Sequence, residues 1–230
     1  MTVSASERLL DRRRAVIPKG LSMVTPLTAA SGHDGVLRDM DGREIIDFSS
    51  GIGVTSAGHC PEPVVKAIQQ QAGKLLHTCF MVATYEPYVA LAEDLVALFP
   101  HGDATKVMLV SSGAEAVENA IKIARQATRR SGVIGYSGAF HGRTMMGMSL
   151  TSKVVYKRHC GPFAGEVYRI PFPDYYHQND GLDPEAFVLR ELRRLEDAFQ
   201  TLVPADEVAA IIIEPVLGEG GFVPAPADYL

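Results

Sequence analysis

Three short stretches of this chain hold residues whose chemistry belongs together. Ser111, Ser112, Gly113 and Ala114 stand between an apolar run, 107–110, and a helical period at Ala114, Val117, Ala120, Ile121 and Ala124. Ser112 and Glu115 have the spacing of a capping box, which starts the predicted helix near Gly113. A strand that feeds a helix through small residues leaves backbone N–H groups and a positive dipole end open to an anion, best a phosphate. Phe140, His141 and Arg143 form the second stretch, and Glu214 and Glu219 lie in a third, glycine-rich one. A ring to stack on, an arginine that grips a carboxylate through two parallel bonds, and two carboxylates suit a flat phosphorylated cofactor and a carboxylate-bearing substrate. Each residue also has a plainer role: Phe140 in a core, His141 bonded to a neighbouring loop, Arg143 paired with a glutamate, both glutamates solvated. Their joint position after apolar runs favours the site.

The elements that must position these residues alternate. Runs 107–110, 133–136 and 209–213 are apolar and too short for helices, 167–170 reads as a further strand closed by Pro171 and Pro173, and helical periods lie among them. That alternation predicts an α/β chain with a mostly parallel sheet, helices on both faces, and ligands at the strands' carboxyl ends. Upstream, segments 36–39 and 43–48 flank Met40, Asp41 and Gly42, a tight-turn signal for a small hairpin. Helical stripes follow at Val64, Val65, Ile68, Ala72 and Leu75, then after Glu86 and Pro87 at Leu91, Leu95 and Leu98. A further helix is predicted from Asp183 and Pro184, with Val188, Leu192, Leu195 and Phe199 on one side.

The 230 residues are 47% hydrophobic and 21% charged, which fits a globular chain with a substantial core. A net charge of -5 gives no reason to expect nucleic acid or an anionic membrane as partner. Cys60, Cys79 and Cys160 have no metal-ligand spacing, so no metal site is expected and a reduced, cytoplasmic setting is favoured over a disulfide framework. No apolar run approaches a membrane span. Arg8, Arg12, Arg13, Arg14 and Lys19 raise the question of a transit peptide, but Glu7 and Asp11 argue against it, and Leu9, Leu10 and Val16 suggest a short amphipathic helix. Residues 226–230 read as the first turn of a helix with no C-cap, so a fragment of a longer protein is expected.

The strings SGAEAVENA (112–120), FHGRT (140–144) and IEPVLGEGGF (213–222) resemble the class III pyridoxal-phosphate aminotransferases. HTCF (77–80), YEPY (85–88) and SLTSK (149–153) bring the chain nearest to the 4-aminobutyrate aminotransferase group of that class, whereas Met81 departs from the polar residue usual there. The resemblance runs over about residues 35–230 and implies a fold-type I transferase. It places 1–55 in the N-terminal segment of a small domain and 56–230 in the first part of a large cofactor-binding domain.

It implies pyridoxal 5′-phosphate held at its phosphate by Ser112, Gly113 and Ala114, with Phe140 stacked on the ring, His141 beside it, and Glu214 near cofactor and substrate. Ile52 would line the substrate pocket and Arg143 would bind a substrate carboxylate. Glu219 would be a switch that pairs with a later arginine when that arginine is not holding a dicarboxylate. That arginine, the lysine that anchors the cofactor and the aspartate for its ring nitrogen are expected beyond Leu230, so no catalytic residue is assigned within the chain. Two look-alikes are set aside. Thr151, Ser152 and Lys153 mimic the context of the anchoring lysine but lie in the loop region after Arg143. Asp206 and Glu207 mimic the aspartate motif but precede a strand that the cofactor's aspartate should follow.

The activity implied is transamination of 4-aminobutyrate, or a related ω-amino acid, with 2-oxoglutarate in a homodimer. The partners implied are a small-molecule amino donor and a 2-oxo acid acceptor. An ornithine or acetylornithine aminotransferase is the alternative within the class, and a non-catalytic fragment is the alternative for the chain as it stands. A nicotinamide-binding domain is disfavoured, because no Gly-x-Gly-x-x-Gly follows a first strand.

Overall fold

The structure, a computed structural model, describes residues 3–102 and 104–230. Two compact units divide the chain, Met1–Asp94 and Leu95–Leu230.

The first unit contains helix α1 (Ala5–Val16), strands β1 (Ser31–His33), β2 (Val36–Arg38) and β3 (Glu44–Ile46), a short turn of helix α2 (Ser50–Gly53), α3 (Glu62–Ala72) and most of α4 (Glu86–Leu98). The expected hairpin is present as β2 and β3, and β1 adds a third antiparallel strand. Its turn is held by the buried carboxylate of Asp39, which accepts the N–H groups of Asp41 and Arg43 at 2.9 and 2.8 Å. Asp41 in turn accepts the N–H of Ala5 at 2.7 Å, putting a negative charge at the positive end of α1. The segment after β3 bends sharply, with Gly51 and Ile52 both at φ 62°.

In the second unit the helices are α5 (Gly113–Thr128), α6 (Met145–Leu150), α7 (Tyr175–Gln178) and α8 (Pro184–Thr201), and the strands are β4 (Gly132–Tyr136), β5 (Val167–Ile170), β6 (Val208–Ile211), β7 (Val216–Leu217) and β8 (Val223–Pro224). Strands β5, β4 and β6 form a parallel sheet in that order. Central β4 is buried along its whole length, and its side chains alternate between two cores. Val133 packs with Ile121 of α5 and with Met146 and Leu150 of α6. Ile134 and Tyr136 face the other way, toward Ala198, Leu195 and Phe199 of α8. Helices therefore cover both faces, as the sequence predicts. Each fully buried aliphatic side chain of this kind contributes roughly 1.5–3 kcal/mol.

One expected strand is not formed. The run 107–110 is outside the three-stranded sheet, and its exposure alternates, with Met108 53% and Val110 38% exposed while Val107 and Leu109 are half-buried. A strand buried on both faces needs two covering layers, and this run is covered on one side only. Two elements escape the periodicity. Helix α6 is six residues long, capped by Thr144 accepting from Gly147 N–H at 3.2 Å. Strands β7 and β8 form a two-residue antiparallel pair around the Gly218–Gly221 turn. Among the described residues no helix is long and apolar enough to cross a membrane.

Candidate functional site

All the candidate residues except Ile52 lie in the second unit, where contacts between loops gather them at the carboxyl edge of the parallel sheet. The first piece is the start of α5. Ser112 is extended, and its Oγ accepts the N–H of Glu115 at 3.2 Å. The expected capping box is only half made, because the Glu115 carboxylate takes the Ser112 hydroxyl, at 3.2 Å, and not its backbone N–H. The N–H groups of Gly113 and Ala114 have no acceptor among the described residues, and no heavy atom lies within 4 Å of where a Cβ on Gly113 would stand. Two backbone donors at a helix N-terminus are thus left without a protein acceptor among the described residues.

The loop after β4 packs directly against this turn. A Cβ on Gly142 would stand 2.8 Å from the Cβ of Ala114, and Gly142 has φ 103°, so glycine is required there on two counts. Thr151 fixes the same loop, accepting from His141 N–H at 2.9 Å and donating to Gly142 O at 3.1 Å. Arg169 on β5 closes the end of α6 by donating to the carbonyls of Ser149, Leu150 and Thr151 at 2.9, 3.0 and 3.1 Å. His141 is 7% exposed, and its Nε2 has no partner among the described residues. Burial pulls the imidazole pKa below its ordinary 6.5, with Glu214 opposing and Arg169 assisting, so the ring is neutral at pH 7.

Glu214, just past β6, joins two loops. One oxygen accepts the N–H of Phe140 at 2.7 Å and the other that of Gly218 at 2.9 Å. Both oxygens are therefore engaged by backbone, so the plain reading of this residue as a solvated acid does not describe it. Phe140 meets Tyr156 edge-on, with ring centroids 5.3 Å apart. The Arg143 guanidinium carbon lies 4.9 Å from the centroid of the same Tyr156 ring. Glu219 receives the Tyr156 hydroxyl at 3.0 Å and the Lys153 ammonium at 2.7 Å. The bond from Lys153, then that from Tyr156, holds the Glu219 carboxyl below its usual range, and Lys153 is pushed up in return.

Ser112, Gly113, Ala114, Phe140, His141, Arg143, Glu214 and Glu219 thus form one connected set. Ile52 lies in the first unit, 91% exposed at φ 62°. Sequence reasoning missed Tyr156 and Arg169, and it set Thr151 and Lys153 aside. Lys153 was visible inside the SLTSK string, but Tyr156 follows two valines in a stretch with no period, which offers no signal.

The sequence model of the aminotransferase class-III family matches residues 18–230. The chain is 44% identical over 226 residues to a 5-aminovalerate aminotransferase of Pseudomonas putida, covering 98% of this chain and 52% of that protein. It is 44% identical over 214 residues to a probable 4-aminobutyrate aminotransferase of Bacillus subtilis, covering 93% and 49% respectively. Among solved structures it is similar to a thermostable (S)-enantioselective omega-transaminase from Thermomicrobium roseum, with a TM-score of 0.86 at 29% identity, over 100% of this chain and 53% of that one. The chain spans about half the length of the curated relatives it matches.

Proposed function

The chain belongs to the class III aminotransferases, and from that premise we propose that it forms the N-terminal half of a pyridoxal-phosphate enzyme moving an amino group from an ω-amino acid to 2-oxoglutarate. In this reading 1–55 belong to a small domain and 56–230 to the first part of the large one. The observation that carries the reading is the open start of α5 in direct contact, through Gly142 and Ala114, with the loop that bears Phe140, His141 and Arg143.

The residues fit the cofactor. Open N–H groups at Gly113 and Ala114 suit a phosphate, Phe140 offers a ring face, and His141 carries a buried nitrogen without a partner. When bound, the cofactor supplies an electron sink that eases removal of a proton beside the substrate nitrogen. The chain's own residues bind and orient. Gly113 and Ala114 hold the phosphate by backbone donors. Glu214 fixes the backbone of Phe140, so the stacking ring does not drift. His141, kept neutral by burial, adds no positive charge beside the ring. Arg143 takes the carboxylate of the ω-amino acid, and Glu219 pairs with a later arginine until a dicarboxylate such as glutamate takes that arginine. Ile52 lines the substrate pocket.

The same reading makes the protein a cytoplasmic homodimer. Three free cysteines support the reducing setting. Exposed Leu76, Met81 and Val82, close together in sequence, support a covered face in the assembly.

Glutamate formation by the full-length protein from 2-oxoglutarate tests the proposal, with 4-aminobutyrate, 5-aminovalerate, ornithine and N-acetylornithine as donors. The first two are expected to exceed the others in kcat/KM by at least about tenfold. No glutamate from either ω-amino acid overturns the reading, and preference for ornithine transfers it to the neighbouring group of the class.

A further inference from the structure

Tyr156 touches three residues of the candidate site. Its ring lies under the Arg143 guanidinium, with Cζ 4.9 Å from the centroid. Its edge-on contact with Phe140 spans 5.3 Å between centroids. Its hydroxyl donates to Glu219 at 3.0 Å, on the oxygen that Lys153 also engages at 2.7 Å. Among the described residues no ion pair joins Glu219 to Arg143, although the two are close enough for the charge of one to act on the other.

Two physical consequences follow from this arrangement. A guanidinium resting on an aromatic face keeps its in-plane N–H edge outward, the edge a carboxylate needs for two parallel bonds. An acid left loose beside it would compete for that same edge. Resting on the aminotransferase reading above, we propose that Tyr156 is a positioning residue for recognition of the substrate carboxylate: its ring orients Arg143, and its hydroxyl, together with Lys153, holds Glu219 away, leaving Arg143 open to an ω-amino monocarboxylate.

The two duties separate chemically. Tyr156→Phe keeps the ring and removes the hydroxyl, whereas Tyr156→Leu removes both. The probe is pentanoate, a carboxylate with no amine to react, titrated calorimetrically into the full-length, cofactor-loaded protein. Tyr156→Phe is expected to raise its Kd roughly threefold to tenfold. Tyr156→Leu is expected to raise it roughly tenfold to thirtyfold. For 4-aminobutyrate turnover, KM should rise in parallel in the Phe variant while kcat stays within about twofold. In a Glu219→Gln background the Phe variant should show no defect, because a neutral amide does not compete for Arg143. Thermal unfolding of each variant separates lost folding from lost binding, and the Phe variant is expected to keep the parent's transition.

Arg143→Gln is measured alongside. If it weakens pentanoate while neither Tyr156 variant does, the inference about Tyr156 is overturned and the proposed function stands. If Arg143→Gln leaves pentanoate affinity unchanged, the carboxylate site itself fails, and the inference falls together with the role proposed for Arg143. A Phe defect that persists with Glu219→Gln overturns the holding role of the hydroxyl.

Discussion

Glu214 accepts the backbone N–H of Phe140 at 2.7 Å, so a side chain just beyond β6 sets the position of a ring carried by the loop after β4. Its other oxygen serves Gly218 at 2.9 Å. Glu214→Ala leaves two N–H groups without their charged acceptor and should lower stability by about 2–3 kcal/mol in denaturant unfolding. Glu214→Gln retains one acceptor and should lose about 1 kcal/mol. Equal stability of parent and Ala variant would show that water serves these N–H groups equally well.

Gly142 has no room for a side chain. Its φ of 103° and the 2.8 Å approach of a would-be Cβ to Ala114 act together. Gly142→Ala should destabilise by about 2–4 kcal/mol through backbone strain and overpacking. Because the clash falls on the first turn of α5, affinity for pyridoxal 5′-phosphate should fall as well, measurable by equilibrium dialysis. Gly113→Ala is the control for stability, since nothing lies within 4 Å of its Cβ position.

Much of the second unit was legible because its sheet is buried on both faces. A strand such as β4 has no polar side to blur its boundaries, and the stripes of α5 and α8 match the cores they cover. The run 107–110 misled because an apolar tetrapeptide reads the same whether one face or two are covered. In the site, the residues that bear charge or a ring after a strand stood out. The supports did not. Thr151 and Arg169 act through hydrogen bonds to backbone carbonyls and N–H groups, and such bonds leave no mark in a residue pattern. Tyr156 gains its place only when the chain folds back to Glu219, 63 residues away.

Acid should act on the first unit through Asp47. Hydrogen bonds from Ser49, then from His59 at 2.8 Å, bring its pKa from an ordinary 3.8 to about 2. The folded pKa is depressed, so the carboxylate's contribution is present above pH 3.8 and is lost as pH falls through about 2. Asp47→Asn should flatten the fall in stability between about pH 4 and pH 2, followed as denaturant midpoints across that window. An unchanged slope would assign the acid sensitivity to other carboxylates.

Equilibrium binding of pyridoxal 5′-phosphate to the full-length protein carrying Gly113→Asp tests the start of α5 as the phosphate site. The substitution is benign for folding, because the Cβ position is open and an acid in a helix's first turn is favourable. Its carboxylate would stand where the phosphate must come. Affinity should fall by roughly a hundredfold or more while the unfolding transition is kept. Affinity within about threefold of the parent, in a variant that folds as well, would contradict the phosphate site at Ser112, Gly113 and Ala114.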